Sequence, residues 1–309
     1  MGATTSVRPG TDSPVTPLYA GVGAHYSTPL ANPMGIFFDN VKKECYVADT
    51  GNGQVVVFNT SGMPIYRFPH LVPGRGDEPR PGEPRSVAVD AHGDIYVVDG
   101  MVPYIDVLDV RGRSLARIDV PDDSCGQPER FVQLALGADQ SVYAITACRI
   151  PRVVAIGDDH AVARIITLRP AQDERACING FTLDQTGNIY ITNSCATLMV
   201  QIYAPDGAFL RAFGKHDTGF ENFAVPAGLA VTGNGDLWVV DTIRQVVSRF
   251  DHEGKLLAMI GGKGSQPGAF EYPSAVATDG GSLLFVLERQ GGRYQCFQIH
   301  PEEGAASEN

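Results

Sequence analysis

The sequence predicts an all-β chain, a six-bladed β-propeller of four-stranded antiparallel blades. Three observations lead there. One motif, a short apolar run followed by a tight polar turn and an aromatic-centred strand, recurs six times along the 309 residues. Its aromatic stands at Tyr46, Tyr96, Tyr143, Tyr190, Trp238 and Phe285, at spacings of 50, 47, 47, 48 and 47 residues. A period that regular marks one structural unit repeated in space. Finally, 35 Gly and 21 Pro with only 19% charged residues describe a chain rich in turns and poor in solvated helix faces. No amphipathic helix of about 10–15 residues separates the strands, which argues against a parallel βαβ sheet.

Each unit reads as four strands. The first, 86–89 in the second unit, is short and apolar, as suits an inner strand buried on both faces. A turn such as Asp90-Ala91-His92-Gly93-Asp94 follows, with Gly available for positive φ. The second strand carries β-branched and aromatic residues. Third strands are predicted at 54–58, 104–108, 199–203 and 246–250, and fourth strands at 65–68, 115–118, 209–213 and 256–260. A second Gly turn (Gly62, Gly112, Gly207, Gly254) joins them. One such unit cannot bury its own faces, so six of them pack as a ring. The sixth unit has only three strands, ending at 295–299. The segment 17–22 is available as its outer strand, and that pairing would remove two open edges. The expected organisation is a flexible tail over 1–16, one propeller domain over 17–300, closed by the N-terminal strand completing the last blade, and a flexible tail over 301–309.

Three stretches resemble a known family. YVADTGNGQVVVFNTSG (46–62), FGKHDTGFENFAVPAGLAV (213–231) and IGGKGSQPGAFEYPSAVATD (260–279) are similar to the repeat and inter-blade linker of NHL-repeat six-bladed propellers. The resemblance covers nearly the whole chain and implies the fold. It implies no single function, because that family holds binding modules, sensor domains and a few enzymes. Its peptidyl-hydroxyglycine amidating lyases resemble this chain in fold and in a Cys pair matching Cys125 and Cys148. Those enzymes place zinc-binding histidines directly after the Pro that opens the first strand. Here those positions hold Met34, Arg85, Ala227 and Ser274, and a Tyr of theirs is Ala147. Without converging imidazoles the zinc site is not built, and that activity is not expected.

A net charge of −11 makes nucleic acid a poor partner, since its binding rests on basic neutralisation of phosphates. No apolar run approaches the roughly 18–20 residues of a membrane span. The start of the chain is polar and lacks the apolar region of a signal peptide, so a removed signal sequence is expected. Six cysteines stand at 45, 125, 148, 177, 195 and 296. Four fall on loops of one face, where two neighbouring blades each hold a pair. Disulfides 125–148 and 177–195 are predicted, which implies an oxidising, extracytoplasmic location. Free buried thiols and a four-Cys metal site are the alternatives, the latter disfavoured by the lack of any C-x₂₋₄-C spacing. Cys45 and Cys296 sit within strand patterns as core residues, with a bridge between them weakly indicated.

Two rings of positions border the loop face. The first, opening each first strand, is Met34, Arg85, Val132, Asn179, Ala227 and Ser274. The second, ending each second strand, is Asp49, Asp99, Thr146, Asn193, Asp241 and Glu288. The second ring reads either as turn-capping hallmarks of the repeat or as an acidic rim for a cation or basic peptide. The binding candidates are Arg85, Asp99, Asn179, Asn193, Asp241, Arg244 and Glu288. Arg85 suits a bidentate anion clamp or an ion pair with Asp99. The histidines read as surface residues on unrelated blades. The insertion 69–84, with Arg75 and Arg80 beside Asp77, Glu78 and Glu83, reads as a partner-binding loop or a rigid linker.

The expected function is a non-catalytic extracytoplasmic recognition module that binds a protein, peptide or small ligand through its loop face, with no cofactor. The alternative is a metal-dependent lyase or hydrolase holding a divalent ion at the mouth of the central channel.

Overall fold

The computed structural model describes residues 13–22, 28–119, 130–146, 148, 150–172 and 175–300. Strand β1 (Val15–Val22) comes first. Blade 1 follows as β2 (Gly35–Asp39), β3 (Glu44–Asp49), β4 (Gln54–Phe58) and β5 (Pro64–Pro69). A small hairpin, β6 (Leu71–Pro73) with β7 (Pro79–Pro81), precedes blade 2. Blade 2 is β8 (Pro84–Val89), β9 (Ile95–Asp99), β10 (Ile105–Leu108) and β11 (Ser114–Ile118). Blade 3 is β12 (Phe131–Leu136), β13 (Val142–Thr146), β14 (Arg152–Ile156) and β15 (Val162–Thr167). Blade 4 is β16 (Ile178–Leu183), β17 (Ile189–Asn193), β18 (Val200–Tyr203) and β19 (Phe209–Phe213). Blade 5 is β20 (Pro226–Val231), β21 (Leu237–Asp241), β22 (Val246–Phe250) and β23 (Leu256–Gly261). Blade 6 is β24 (Pro273–Thr278), β25 (Leu283–Glu288) and β26 (Arg293–Ile299), and its outer position is taken by β1.

Every ladder is antiparallel, and β1 pairs with β26 from Val15↔Ile299 to Val22↔Arg293. The predicted six-bladed propeller of four-stranded sheets is the observed fold. The inner strands β2, β8, β12, β16, β20 and β24 contact one another in sequence, and β24 returns to β2. They approach so closely that a Cβ on Gly228 would stand 2.7 Å from Ala275 Cα, which reserves that position for glycine.

The core is layered between blades, because each sheet has two apolar faces to cover. Trp238, Phe270 and Phe297 fill the layer between blades 5 and 6. Phe38, Phe58, Phe285 and Tyr294 fill the next, with Phe38 stacked on Phe285 at 4.6 Å. All six repeat aromatics are buried in these layers. At about 25 cal/mol per Å², such rings supply much of the driving force for closing the ring of blades.

One irregularity positions the site. Blades 2 to 6 each carry a register shift at the start of the inner strand. It lies between Pro84 and Ser86, Phe131 and Gln133, Ile178 and Gly180, Pro226 and Leu229, and Pro273 and Ala275. The extra residues there include Arg85, Val132, Asn179, Ala227 and Ser274. A bulge leaves its extra residue out of the ladder and re-aims its side chain.

Candidate ligand-binding site at the channel mouth

The bulged residues meet. Arg85, Val132, Asn179, Ala227 and Ser274, together with Met34 just before β2 of blade 1, line a single cavity of about 470 Å³. Ile36, Phe37, Val87, Phe131, Val225 and Ile243 add apolar wall, and Arg130 and Arg289 add two further guanidinium groups. Among the described residues Asp99 is the one acid in the lining.

Several polar groups of this ring brace the blades. Asn179 Nδ2 donates to the Pro226 carbonyl at 3.0 Å, and Ser274 Oγ to that of Pro33 at 3.2 Å. Thr50 and Thr242 do the same for Pro84 and Pro273, at 2.6 and 2.8 Å. Each interaction ties one blade to the opening residue of the next. Ser86 Oγ accepts the Leu134 N–H at 3.0 Å.

Arg85 is held differently. Its ion pair is with Glu83 at 3.6 Å, both side chains half-exposed. Asp99, the alternative partner in the sequence reading, instead accepts from Met101 N–H at 2.7 Å and contacts His70 at 2.9 Å. His70 is 1% exposed, so the expectation that the histidines lie on the surface does not hold for it. Burial alone would pull its pKa down, but the close carboxylates of Asp106 and Asp99 outweigh that and raise it.

The second ring faces inward. Asp49, Asp99, Thr146, Asn193, Asp241 and Glu288 are all 4% exposed or less. Asp49 accepts from Ala31 N–H, Asn52 and Gln54. Asn193 Oδ1 accepts from Cys177 and Cys195 N–H. Asp241 accepts from Ala224, Val225 and Arg244 N–H, and the Arg244 guanidinium turns to the carbonyls of Gly219 and Asn222. Glu288 accepts from Glu271 N–H, Arg293 and Gln295. Asp49, Asn193, Asp241 and Glu288 thus each cap the segment entering their own blade, and Asp49, Asn193 and Asp241 also hold the turn that follows their strand, the contact expected of a repeat hallmark. Of the seven binding candidates the structure brings Arg85, Asp99 and Asn179 to the cavity wall, while Asn193, Asp241 and Glu288, at the ends of β17, β21 and β25, and Arg244 in the loop after β21 do not line it.

Sequence reasoning missed Arg130 and Arg289. Arg289 directly follows the second ring, a usable signal. Arg130 precedes β12 in the one blade whose opening lacks the Pro found in the others or a Cys, so the spacing gave no anchor for it.

Cys177 and Cys195 form a disulfide. Cys148 is also disulfide-bonded, and Cys125, its expected partner, lies outside the described residues. Cys45 and Cys296 are free and buried, and burial pushes both thiols above their ordinary pKa. The weakly indicated bridge between them is not formed. Among the described residues, three potential metal-ligand atoms gather within 4.8 Å only at Asp90, Asp94 and His160. These sit on turns at the opposite end of the blades from the cavity. Among the described residues no helix is long and apolar enough to cross a membrane.

No protein-family model matches the chain. Among curated proteins it is similar to the probable peptidyl-α-hydroxyglycine α-amidating lyase of Caenorhabditis elegans, 26% identical over 133 residues. That match takes in 41% of this chain and 38% of the relative, so the chain spans about two fifths of the length of the curated relative it matches. Among solved structures it is similar to a gluconolactonase from Xanthomonas campestris, with TM-score 0.63 and 16% identity over 95% of this chain and 99% of the other. A virginiamycin B lyase from Staphylococcus aureus gives 0.60 and 10% over 93% and 99%. The calcium-binding protein regucalcin from Agrobacterium tumefaciens gives 0.61 and 12% over 88% and 91%. At such identities the likeness is one of fold, and the fold these proteins share with the chain is the six-bladed propeller.

Proposed function

We propose that the chain is a non-catalytic recognition module that binds a small molecule or the end of a peptide at the channel mouth. One observation carries this: five bulges turn residues of neighbouring blades into one amphipathic cavity. Its volume falls within the roughly 300–1,000 Å³ typical of ligand pockets. Such a cavity admits a small molecule or a chain end rather than a folded surface. The lining supports binding over chemistry. Among the described residues it holds no imidazole or thiol, and its hydroxyls Ser86, Thr242 and Ser274 are each hydrogen-bonded to backbone. Among the described lining residues no base is placed to activate a nucleophile. The Cys177–Cys195 disulfide supports an extracytoplasmic setting.

The test is a small-molecule screen by thermal shift, followed by Ala227→Trp to fill the cavity. Loss of binding with an unchanged fold is expected. A ligand whose affinity ignores that substitution overturns the reading, and turnover of a bound compound would replace recognition with catalysis.

A metal-dependent lyase or hydrolase is the second reading, favoured by the similarity to an amidating lyase and to a calcium-binding propeller. The cavity residues do not fit a metal. Among the described residues its lining contains no His, Cys or Glu, and Asp99 is committed to Met101 and His70. The Asp90, Asp94 and His160 group is the better fit for an ion. Zinc or calcium titration of wild type against Asp94→Asn decides whether that group binds one.

A further inference from the structure

We infer that the channel mouth takes an organic anion with an apolar body, and that Glu83 is a built-in competitor occupying the anion's place when no ligand is bound. The inference rests on the mouth being the binding site. The chain as a whole carries −11, yet among the described residues the cavity lining holds three arginines against one aspartate. That inversion is local and concentrated. Arg130 Nη1 donates to the Gly100 carbonyl at 3.0 Å, and the Arg85 guanidinium lies against Gly100 Cα. Two cationic groups therefore converge on one stretch of backbone without a side chain between them.

Their charge is poorly answered by the protein. Asp99, next in sequence to Gly100, is turned away to His70. The contact recorded for Arg130 is a neutral carbonyl. Arg289 on blade 6 uses Nε on the Asn32 side-chain oxygen, again a neutral group. Among the described residues only Glu83 brings a carboxylate, at 3.6 Å from Arg85, in an exposed pair of the kind that contributes little to stability. Its backbone is fixed nonetheless, because Gly100 N–H donates to the Glu83 carbonyl at 2.9 Å. Glu83 is thus held beside the guanidinium pair at the end of the 69–84 insertion, while its side chain remains free to swing out. A ligand oxyanion engaging Arg85 and Arg130 in bidentate fashion would displace it. The apolar body would then lie on Met34, Ile36, Val225 and Ile243, which line the same cavity.

The experiment compares octanoate, octyl phosphate, octan-1-ol and octylammonium by calorimetry on the full chain. Both anions are expected to bind about tenfold or more tightly than the alcohol, and octylammonium more weakly than either. The better of the two anions identifies the oxyanion. Arg85→Ala, at a half-exposed position, should abolish the preference for anions, and Glu83→Gln should tighten octanoate about threefold without changing octan-1-ol. Equal binding of octanol and octanoate, lost in Ala227→Trp, overturns the anion inference and leaves the mouth as the site. Octanoate binding that survives Ala227→Trp overturns the site itself. Failure of every probe to bind overturns the ligand class, and an unchanged octanoate affinity in Glu83→Gln overturns the competitor.

Discussion

His70 and Asp99 form a buried pair. The imidazole Nδ1 is 2.9 Å from the Asp99 carboxylate, and the two side chains are 1% and 0% exposed. On the other edge of the ring Nε2 lies 3.5 Å from Asp106, a charge contact too long for a good hydrogen bond. Ser114 satisfies the second Asp106 oxygen at 2.6 Å. The Tyr104 phenol nearby is raised in pKa by burial, opposed by Arg117 and reinforced by Asp106 and Asp99, and so stays neutral. One imidazole therefore joins the root of the 69–84 insertion to two strands of blade 2. Gly82 N–H, at the far end of the insertion, donates to the His70 carbonyl at 2.9 Å.

Stability should therefore fall on the alkaline side. The folded pKa of His70 is raised above its unfolded value of about 6.5. Its stabilisation is complete below that unfolded value and is lost as pH rises through the folded one. Melting temperatures of wild type should decline over that window. His70→Gln should show a flatter profile and a loss of about 3–5 kcal/mol at pH 6, because two buried carboxylates lose their cation. Parallel profiles for the two proteins would remove the imidazolium from the account.

The strand-end carboxylates make a structural prediction. Asp241 is 1% exposed and accepts three backbone N–H groups, from Ala224, Val225 and Arg244. Asp241→Ala orphans all three, at about 1–3 kcal/mol for each donor that water cannot reach. A loss of about 3 kcal/mol or more in urea unfolding is expected, with Asp241→Asn costing less because one acceptor oxygen remains. A loss below about 0.5 kcal/mol, the level of an ordinary surface substitution, would contradict the capping role.

What the sequence carried, and what it hid, follows from these same residues. Repeat spacing and the buried aromatics made the blades legible, because both faces of every sheet need apolar cover. Strands 54–58, 209–213 and 246–250 coincide with β4, β19 and β22. The first ring was legible as positions, since a residue opening each inner strand must border the channel. Its bulges were not legible, because a register shift leaves no mark in residue type. The second ring was legible as Asp, Asn or Glu at a fixed period, but whether such a side chain turns to the channel or to its own loop depends on the entry path of the chain. The 69–84 hairpin was hidden by Pro73, Pro79 and Pro81, which lack the N–H that strand patterns presume.

The disulfide between Cys177 and Cys195 closes a separation of 18 residues, flanking the cap made by Asn193. Loop-closure entropy puts its contribution at about 3 kcal/mol. Replacing both by Ala should lower stability by that order, and reductant should lower the melting temperature of wild type further than that of the variant. An equal effect of reductant on both proteins would show that this bridge contributes nothing.

Gly100 offers the sharpest separation of packing from binding. A Cβ there would run into Nε, Cζ and Nη2 of Arg85, while the Gly100 backbone has no positive φ to strain an alanine. Gly100→Ala should therefore leave the fold intact, within about 0.5–1 kcal/mol, because a half-exposed guanidinium can move aside. Moving it aside is the functional injury. Octanoate affinity should fall about tenfold, as in Arg85→Ala, and the double variant should be no worse than either single one, since both remove the same contact. Additive losses would mean that Gly100 and Arg85 act separately, and the paired-guanidinium account of the mouth would then have to be given up.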